Sequence, residues 1–374
     1  MGDFVPFEAG TVLGRRALNR ALLVRQMLTD RQPLGVEAAI EHLVGMQGQA
    51  PLAPYVGLWS RVKGFRPEEL AKLVEARQVV RMPLMRATVH MVTARDAVGL
   101  YPLVRPVLAR GFAGSEFGKA VRGVDLDALA AAGREALEEK ASTRVALGAA
   151  LKERWPEVDA TSLAYAITYL LPVVQVPPRG VWGRSGAPTW ALAEGWLGRP
   201  FEAVDIEEVV RRYLGAFGPA SVMDVQTFCG LTRLGEVLER LRPQLMVYRD
   251  EGGRELFDLP DAPRPDPEIP APPRFLPEYD NLFFNYADRW RLMEPSDPLP
   301  LWPGNGAQAG TFLVDGFYAG TWKLVRDKDL ATLAIEFFRP AGKRATAGLA
   351  KEGERLLKFI AKEAGRHEIQ ISTR

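Results

Sequence analysis

The stretch Val79-Val80-Arg81-Met82-Pro83-Leu84-Met85-Arg86-Ala87-Thr88-Val89-His90-Met91-Val92 decides how the first third of this chain is read. It is rich in Val, Met and Thr and alternates irregularly, so it reads as a two-strand ribbon. The segments before it are helical. Asn19 to Asp30 places Leu22, Leu23, Met27 and Leu28 on one side, and Pro33-Leu34-Gly35 breaks it. Val36 to Met46 is a second helix. Pro51 and Pro54 start a third that runs to Val62, and Arg66-Pro67-Glu68-Glu69-Leu70 opens a fourth. Helices followed by a ribbon are the order of a winged helix.

Downstream the order recurs. Leu126 to Glu139, Arg144 to Trp155 and Thr161 to Leu171 read as helices. Val173 to Val176 and Thr189 to Leu192 then flank a Gly/Pro/Arg-rich tip. A further copy begins at Ile206, with helices at Ser221 to Phe228 and Leu234 to Leu241. Its ribbon is Leu245 to Tyr248 and Glu255 to Leu259, turning at Glu251-Gly252-Gly253. Pro260 to Pro277 reads as a proline-rich linker. Beyond it, strands are expected at Asn281–Phe284, Thr311–Val314, Phe317–Val325 and Leu330–Phe338. A helix at Thr346–Ala364 and a strand at Glu368–Ser372 follow. The fold expected is α+β: three tandem winged-helix units (1–120, 121–200, 201–262), then a C-terminal β-rich, barrel-like domain (270–374).

The 374 residues are 47% hydrophobic and 25% charged, the composition of a globular protein of several domains. One cysteine, Cys229, leaves no internal disulfide. No run of apolar residues is long enough for a membrane span, and the first ten residues carry no basic n-region, so a cytoplasmic location is expected. Net charge is +2, unevenly spread: residues 1–120 hold 16 Lys+Arg and 10 Asp+Glu, whereas residues 121–270 hold 17 and 23. The surplus beside the ribbon suits nucleic acid, or is ordinary surface variation.

Conventional catalytic groups are scarce. The three histidines, His42, His90 and His367, are scattered, and no HExxH or CxxC occurs, so no metal is expected. No cofactor motif stands either. Gly114–Ala120 is one residue short of a P-loop, lacks its Ser/Thr and reads as a loop. Gly183-Arg184-Ser185-Gly186 is no nucleophile elbow, and Gly304-Asn305-Gly306 has no strand–turn–helix context. What is left is Met46-Gln47-Gly48-Gln49-Ala50. In extended backbone Gln47 and Gln49 point to one side, and paired amides can orient a water through a donor and an acceptor. The alternative is a pair of helix-end surface residues. On the ribbon, Arg86, Thr88 and His90 share one face of an expected strand, with Arg81 nearby, and could grip phosphates; the alternative is a solvated face. At the tip Arg179-Gly180-Val181-Trp182-Gly183-Arg184, Arg179 and Arg184 flank Trp182, which would serve as a wedge in DNA or fold back as core.

The chain resembles the AlkZ/YcaQ-like bacterial DNA glycosylases. The resemblance rests on Gly45–Gln49, Leu84–His90, Arg179–Gly183, Ala216–Ser221, Leu276–Asn281 and Gly310–Gly316, in that order along nearly the whole chain. It implies three winged helices presenting a basic concave surface to duplex DNA, and a catalytic Gln-x-Gln, here Gln47 and Gln49. The intervening Gly48 departs from the larger apolar residue usual there. The resemblance further implies an enzyme removing N7-alkylguanine-type purines, and in some members unhooking interstrand crosslinks made by genotoxic antibiotics; no lysine nucleophile is implied, so a monofunctional enzyme without lyase activity is expected. Its partner would be damaged duplex DNA and its state monomeric. A non-catalytic winged-helix DNA-binding regulator is the alternative. A protein that sequesters an antibiotic is a third reading.

Overall fold

The computed structural model describes residues 8–298 and 309–374. The first seven residues and most of the Pro295–Gly310 loop, including Gly304-Asn305-Gly306, lie outside them. The ribbon forms where it is read: Val79–Pro83 and Val89–Thr93 pair antiparallel, Arg81 opposite Met91 and Met82 opposite His90. Its alternation is irregular because both faces are covered. Val80, Met82 and Val92 enter one hydrophobic core, while Val79 and Met91 enter another.

The ribbon is not a free wing. Met46–Gln47 pairs with its outer strand, and Arg81 pairs with Gln175 on the other side. The result is a six-stranded sheet in the order Met46–Gln47, Val89–Thr93, Val79–Pro83, Val173–Gln175, Thr189–Leu192, Ser142–Thr143. Ribbons expected in two separate units therefore share one sheet. The ribbon Met246–Asp250 and Glu255–Asp258 gains Val12–Leu13 as a parallel neighbour. A 21-residue helix, Ala94–Gly114, escaped the sequence reading. Pro102 and Pro106 lie within it, residues that normally end a helix. Residues Glu116–Ala120, read as loop, are a short helix capped by Ser115.

Residues 274–374 form a sheet ordered Arg274–Leu276, Gly310–Val314, Phe317–Asp327, Leu330–Phe337, Arg366–Thr373. It is open rather than a barrel. The last pair is parallel, which requires a crossover, and helix Lys343–Ile360 supplies it. That helix buries Leu349, Leu356 and Leu357 against Leu333 and Ile335. The strand expected at Asn281–Phe284 is instead a 3-10 turn, Asn281–Phe283, capped by the Asp280 carboxylate. No helix among the described residues is long and apolar enough to cross a membrane.

The N-terminal charge surplus is largely internal. Arg15 pairs with Glu294, Arg16 and Arg20 with Asp315, Arg25 with Asp258, Arg31 with Glu352 and Arg61 with Asp280. Arg25–Asp258 is fully buried and bidentate at 2.6 and 2.8 Å. Losing one partner of such a pair costs about 3–5 kcal/mol. Arg16, Arg20 and Arg25 also donate to the carbonyls of Pro267, Ile269 and Pro263. The proline-rich stretch is thus docked, not a free linker. Its prolines cannot join a ladder as donors, but its carbonyls still need partners.

Candidate functional site

Gln47 is placed by the end of a helix. After Val36–His42, Gly45 N donates to Ile40 O at 2.9 Å and Val44 N to Glu41 O at 3.0 Å, a Schellman-type stop. Val44 and Gly45 take φ of 54° and 88°. A Cβ on Gly45 would lie 2.6 Å from Val92 Cγ1, so this turn needs glycine for space as well as for backbone freedom. The chain then extends. Gln47 lies opposite His90, and Gly48 N donates to Val89 O at 2.8 Å.

The buried Gln47 amide meets Arg86. Arg86 is not on a strand: Met85–Ala87 is a 3-10 turn at the ribbon tip, where Arg86 and Ala87 have φ of 57° and 55°. The expected Arg86/Thr88/His90 strand face therefore does not exist. Two adjacent left-handed non-glycine residues store strain, and the surroundings must hold them. Arg86 Nη2 donates to Gln47 Oε1 at 3.0 Å and to Asn281 Oδ1 at 3.0 Å, and it meets His90 Nε2 at 3.2 Å. Nη1 donates to Asn285 Oδ1 at 2.6 Å and Phe228 O at 3.0 Å. Burial pushes the guanidinium down to about 10, which leaves it a cation at neutral pH. Asn281 Nδ2 also reaches Gly45 O at 3.2 Å, tying down the turn before Gln47.

These contacts settle orientations. Arg86 only donates, so the Gln47 atom facing it is the oxygen, and the amide N–H groups face away. No protein acceptor meets that nitrogen among the described residues. His90 must present an unprotonated Nε2 to Arg86, so its Nδ1–H donates to Thr88 O at 3.0 Å. Burial, and then the Arg86 charge, push His90 down to about 3. His90 is a neutral spacer rather than a DNA contact, and Thr88 Oγ1 is used on Met85 O.

Gln49 is different. It is exposed, and among the described residues its Oε1 receives only a long contact from Val89 N, 3.4 Å. The two glutamines border different hollows. Gln47 lines a small one of ≈ 10 Å³ with Asp280, Asn281 and Arg61. Gln49 lines an open cleft of ≈ 260 Å³ with Arg81, Arg144, Tyr165, Gln175, Arg179 and Trp190.

Arg81 is only 2% exposed, donates to Gly48 O at 2.6 Å and lies at the wall of that cleft, not on an open surface. Arg179 is half-buried at the same cleft and donates to Gly186 O at 3.2 Å. Arg184 is exposed, pairs with Glu75 at 2.9 Å and lines neither hollow. Trp182 is not a projecting wedge. It packs on Tyr55 and Phe359 with ring centroids 5.1 and 5.2 Å apart, and its backbone N–H donates to the Tyr55 hydroxyl. Aromatic contact at that distance outweighs leaving an indole in water.

Sequence reasoning gave no role to Asn281, Asn285 or Arg144. Asn281 lies in the quoted Leu276–Asn281 motif, which was a signal; Arg144, at a helix start, offered none. Glu278 in the same motif is half-buried, and burial raises its carboxyl above the usual range. Cys229 is buried and its thiol is pushed up to about 11, so it is no nucleophile at neutral pH.

A family model described as DNA glycosylase AlkZ-like matches residues 40–359. Among solved structures, the chain is similar to the Streptomyces sahachiroi DNA glycosylase AlkZ with a TM-score of 0.71 and 18% identity. That match covers 97% of this chain and 100% of that one, a likeness of fold. No curated protein matches.

Proposed function

This chain belongs to the AlkZ-like DNA glycosylase family, and from that premise we propose that it is a monofunctional glycosylase of alkylated purines. It hydrolyses the N-glycosidic bond of N7-alkylguanine-type bases in damaged duplex DNA, N7-linked interstrand crosslinks included, and works as a monomer. The observation that carries this reading is the Arg86-held Gln47 amide two residues before an exposed Gln49. An N7-alkylated purine is already cationic and leaves without strong acid. The transition state at C1′ then needs a placed water and a suitable field rather than a strong base.

The Arg86 contact divides the work. Gln47 turns its carbonyl inward and offers N–H, so it is the donor side of the water's cradle. Gln49 supplies the accepting carbonyl. Gln49 is held by one long contact, so it is free to rotate toward Gln47 when DNA covers the cleft. Among the described residues no lysine lines either hollow, which favours attack by water over an amine and disfavours lyase chemistry.

The test is release of N7-methylguanine from duplex DNA, with abasic sites cleaved afterwards. Wild type should release base without cleaving the strand itself. Gln47→Ala and Gln49→Ala should each slow release about 100-fold, the scale of losing one placed transition-state contact. No release by wild type, or full activity in the double variant, sinks the proposal. Sequence-selective binding to undamaged DNA without release would indicate a regulator instead.

A further inference from the structure

The cleft beside Gln49 carries chemistry that water placement does not use. Its walls bring together three guanidiniums, Arg81, Arg144 and Arg179, and, among the described residues, no carboxylate. They come from separate places: the ribbon strand Val79–Pro83, the first turn of helix Arg144–Lys152, and the segment following strand Val173–Gln175. Like charges gathered without counter-charge are costly unless something anionic completes them.

Arg81 makes the point most sharply. One nitrogen is used on Gly48 O, while Nε and Nη1 are buried without a hydrogen-bond partner. Its cross-sheet neighbour Gln175 likewise has a buried, unpartnered Oε1. Space around this guanidinium is kept by Gly180, at φ +85°. A Cβ there would lie 2.9 Å from Arg81 Cδ and 3.1 Å from Nη1. Arg144 and Arg179 each make one polar contact, to the Tyr165 hydroxyl and Gly186 O, and neither has a carboxylate partner among the described residues. A guanidinium has five N–H donors, so both have donors to spare.

A nucleobase is a poor fit. The Tyr165 ring is stacked on Phe117 at 4.0 Å and lies under Arg144 at 5.1 Å. Trp190 is 5% exposed. Tyr169, also on the cleft wall, is stacked on Phe112 at 5.6 Å, and a cationic alkylated base would meet three positive charges. A phosphodiester matches the planar forks in charge and shape.

We propose that this cleft seats a backbone phosphate beside the nucleotide under attack, held by Arg144 and Arg179 with Arg81 behind them, and so sets the register in which Gln49 meets the sugar. This rests on the proposed action on DNA.

The test uses unreactive DNA, so it needs no base release. A duplex carrying a tetrahydrofuran abasic analogue is made with a single methylphosphonate at successive flanking positions, each removing one negative charge. Binding is followed by fluorescence anisotropy over a range of salt. One position should weaken wild-type binding about tenfold. Arg144→Ala and Arg179→Ala should each flatten the slope of log K against log salt by about 1. The double variant should no longer sense that methylphosphonate, and unchanged melting temperatures confirm that the variants fold. Wild-type affinity and slope in the variants, or an undiminished methylphosphonate effect in the double variant, overturns the assignment. If such variants still release N7-methylguanine, only the cleft assignment falls. If wild type releases no base yet shows the phosphate effect, only the glycosylase reading falls.

Discussion

Gln47 and Gln49 are two residues apart and stand in opposite surroundings. Gln47 is 7% exposed, its carbonyl is fixed by Arg86, and Arg86 is itself held by Asn281 and His90. Gln49 is exposed, loosely held, and faces a cleft of arginines. The difference teaches how an amide pair, with no pKa to tune, can be divided into roles. One member is oriented in advance by a buried network, and the other adapts when substrate arrives.

Arg86→Met is the largest way to break that contrast. It leaves the oxygens of Gln47, Asn281, Asn285 and Phe228 without their donor. Stability in urea should fall by about 3–5 kcal/mol, with base release lost in proportion to Gln47→Ala. Gln49→Ala should change stability by less than about 0.5 kcal/mol while still losing activity. Full base release by a folded Arg86→Met protein would show that Gln47's orientation is immaterial.

His90 gives an intermediate effect with a definite sign. Its folded value of about 3 lies below the ordinary 6.5, so between these the unfolded chain binds a proton that the folded one does not. The stability it contributes is therefore complete above pH 6.5 and is lost as pH falls toward 3, by up to about 1.4 kcal/mol per pH unit. His90→Gln keeps a neutral polar side chain that cannot titrate. Urea midpoints from pH 6.5 to 4.5 should fall less steeply in this variant. Parallel curves would mean that His90 is not held neutral beside Arg86.

Gly48→Ala should have a small effect of opposite sign. A Cβ there would meet Arg81 Nε and Met91 N at 3.5 Å and Met91 Cβ at 3.7 Å, which is ordinary contact, and no positive φ demands glycine. Reduced freedom of the unfolded chain should raise stability by about 0.4–1 kcal/mol. Calorimetry that finds a loss instead would show that the added Cβ strains the strand between the glutamines.

Local elements were largely legible. The ribbon Val79–Val92 and the helix Leu126–Glu139 stand where their residues place them, because each depends on its own period and turn chemistry. The errors have physical sources. Alternation at Arg86, Thr88 and His90 suggested one strand face, but Arg86 and Ala87 turn left-handed to close the ribbon. Asn281–Phe284 looked like a strand because it is apolar, but the Asp280 side chain caps it as a turn. An excess of arginine in the first third resembled a surface field, but those side chains are held by carboxylates from residue 258 onward.

By itself, the sequence determined the order of helices and ribbons, the Gln-x-Gln spacing and the scarcity of titratable catalytic groups. Each of these is a property of neighbouring residues. Only the tertiary structure decided that Gln47 would be gripped and Gln49 left free. Arg86 reaches Gln47 across 39 positions and Asn281 across 195, and no periodicity records such meetings. Local pattern states which side of an element is apolar. Which donor faces which acceptor is settled by packing, where every buried polar atom must find a partner that the chain brings from far away.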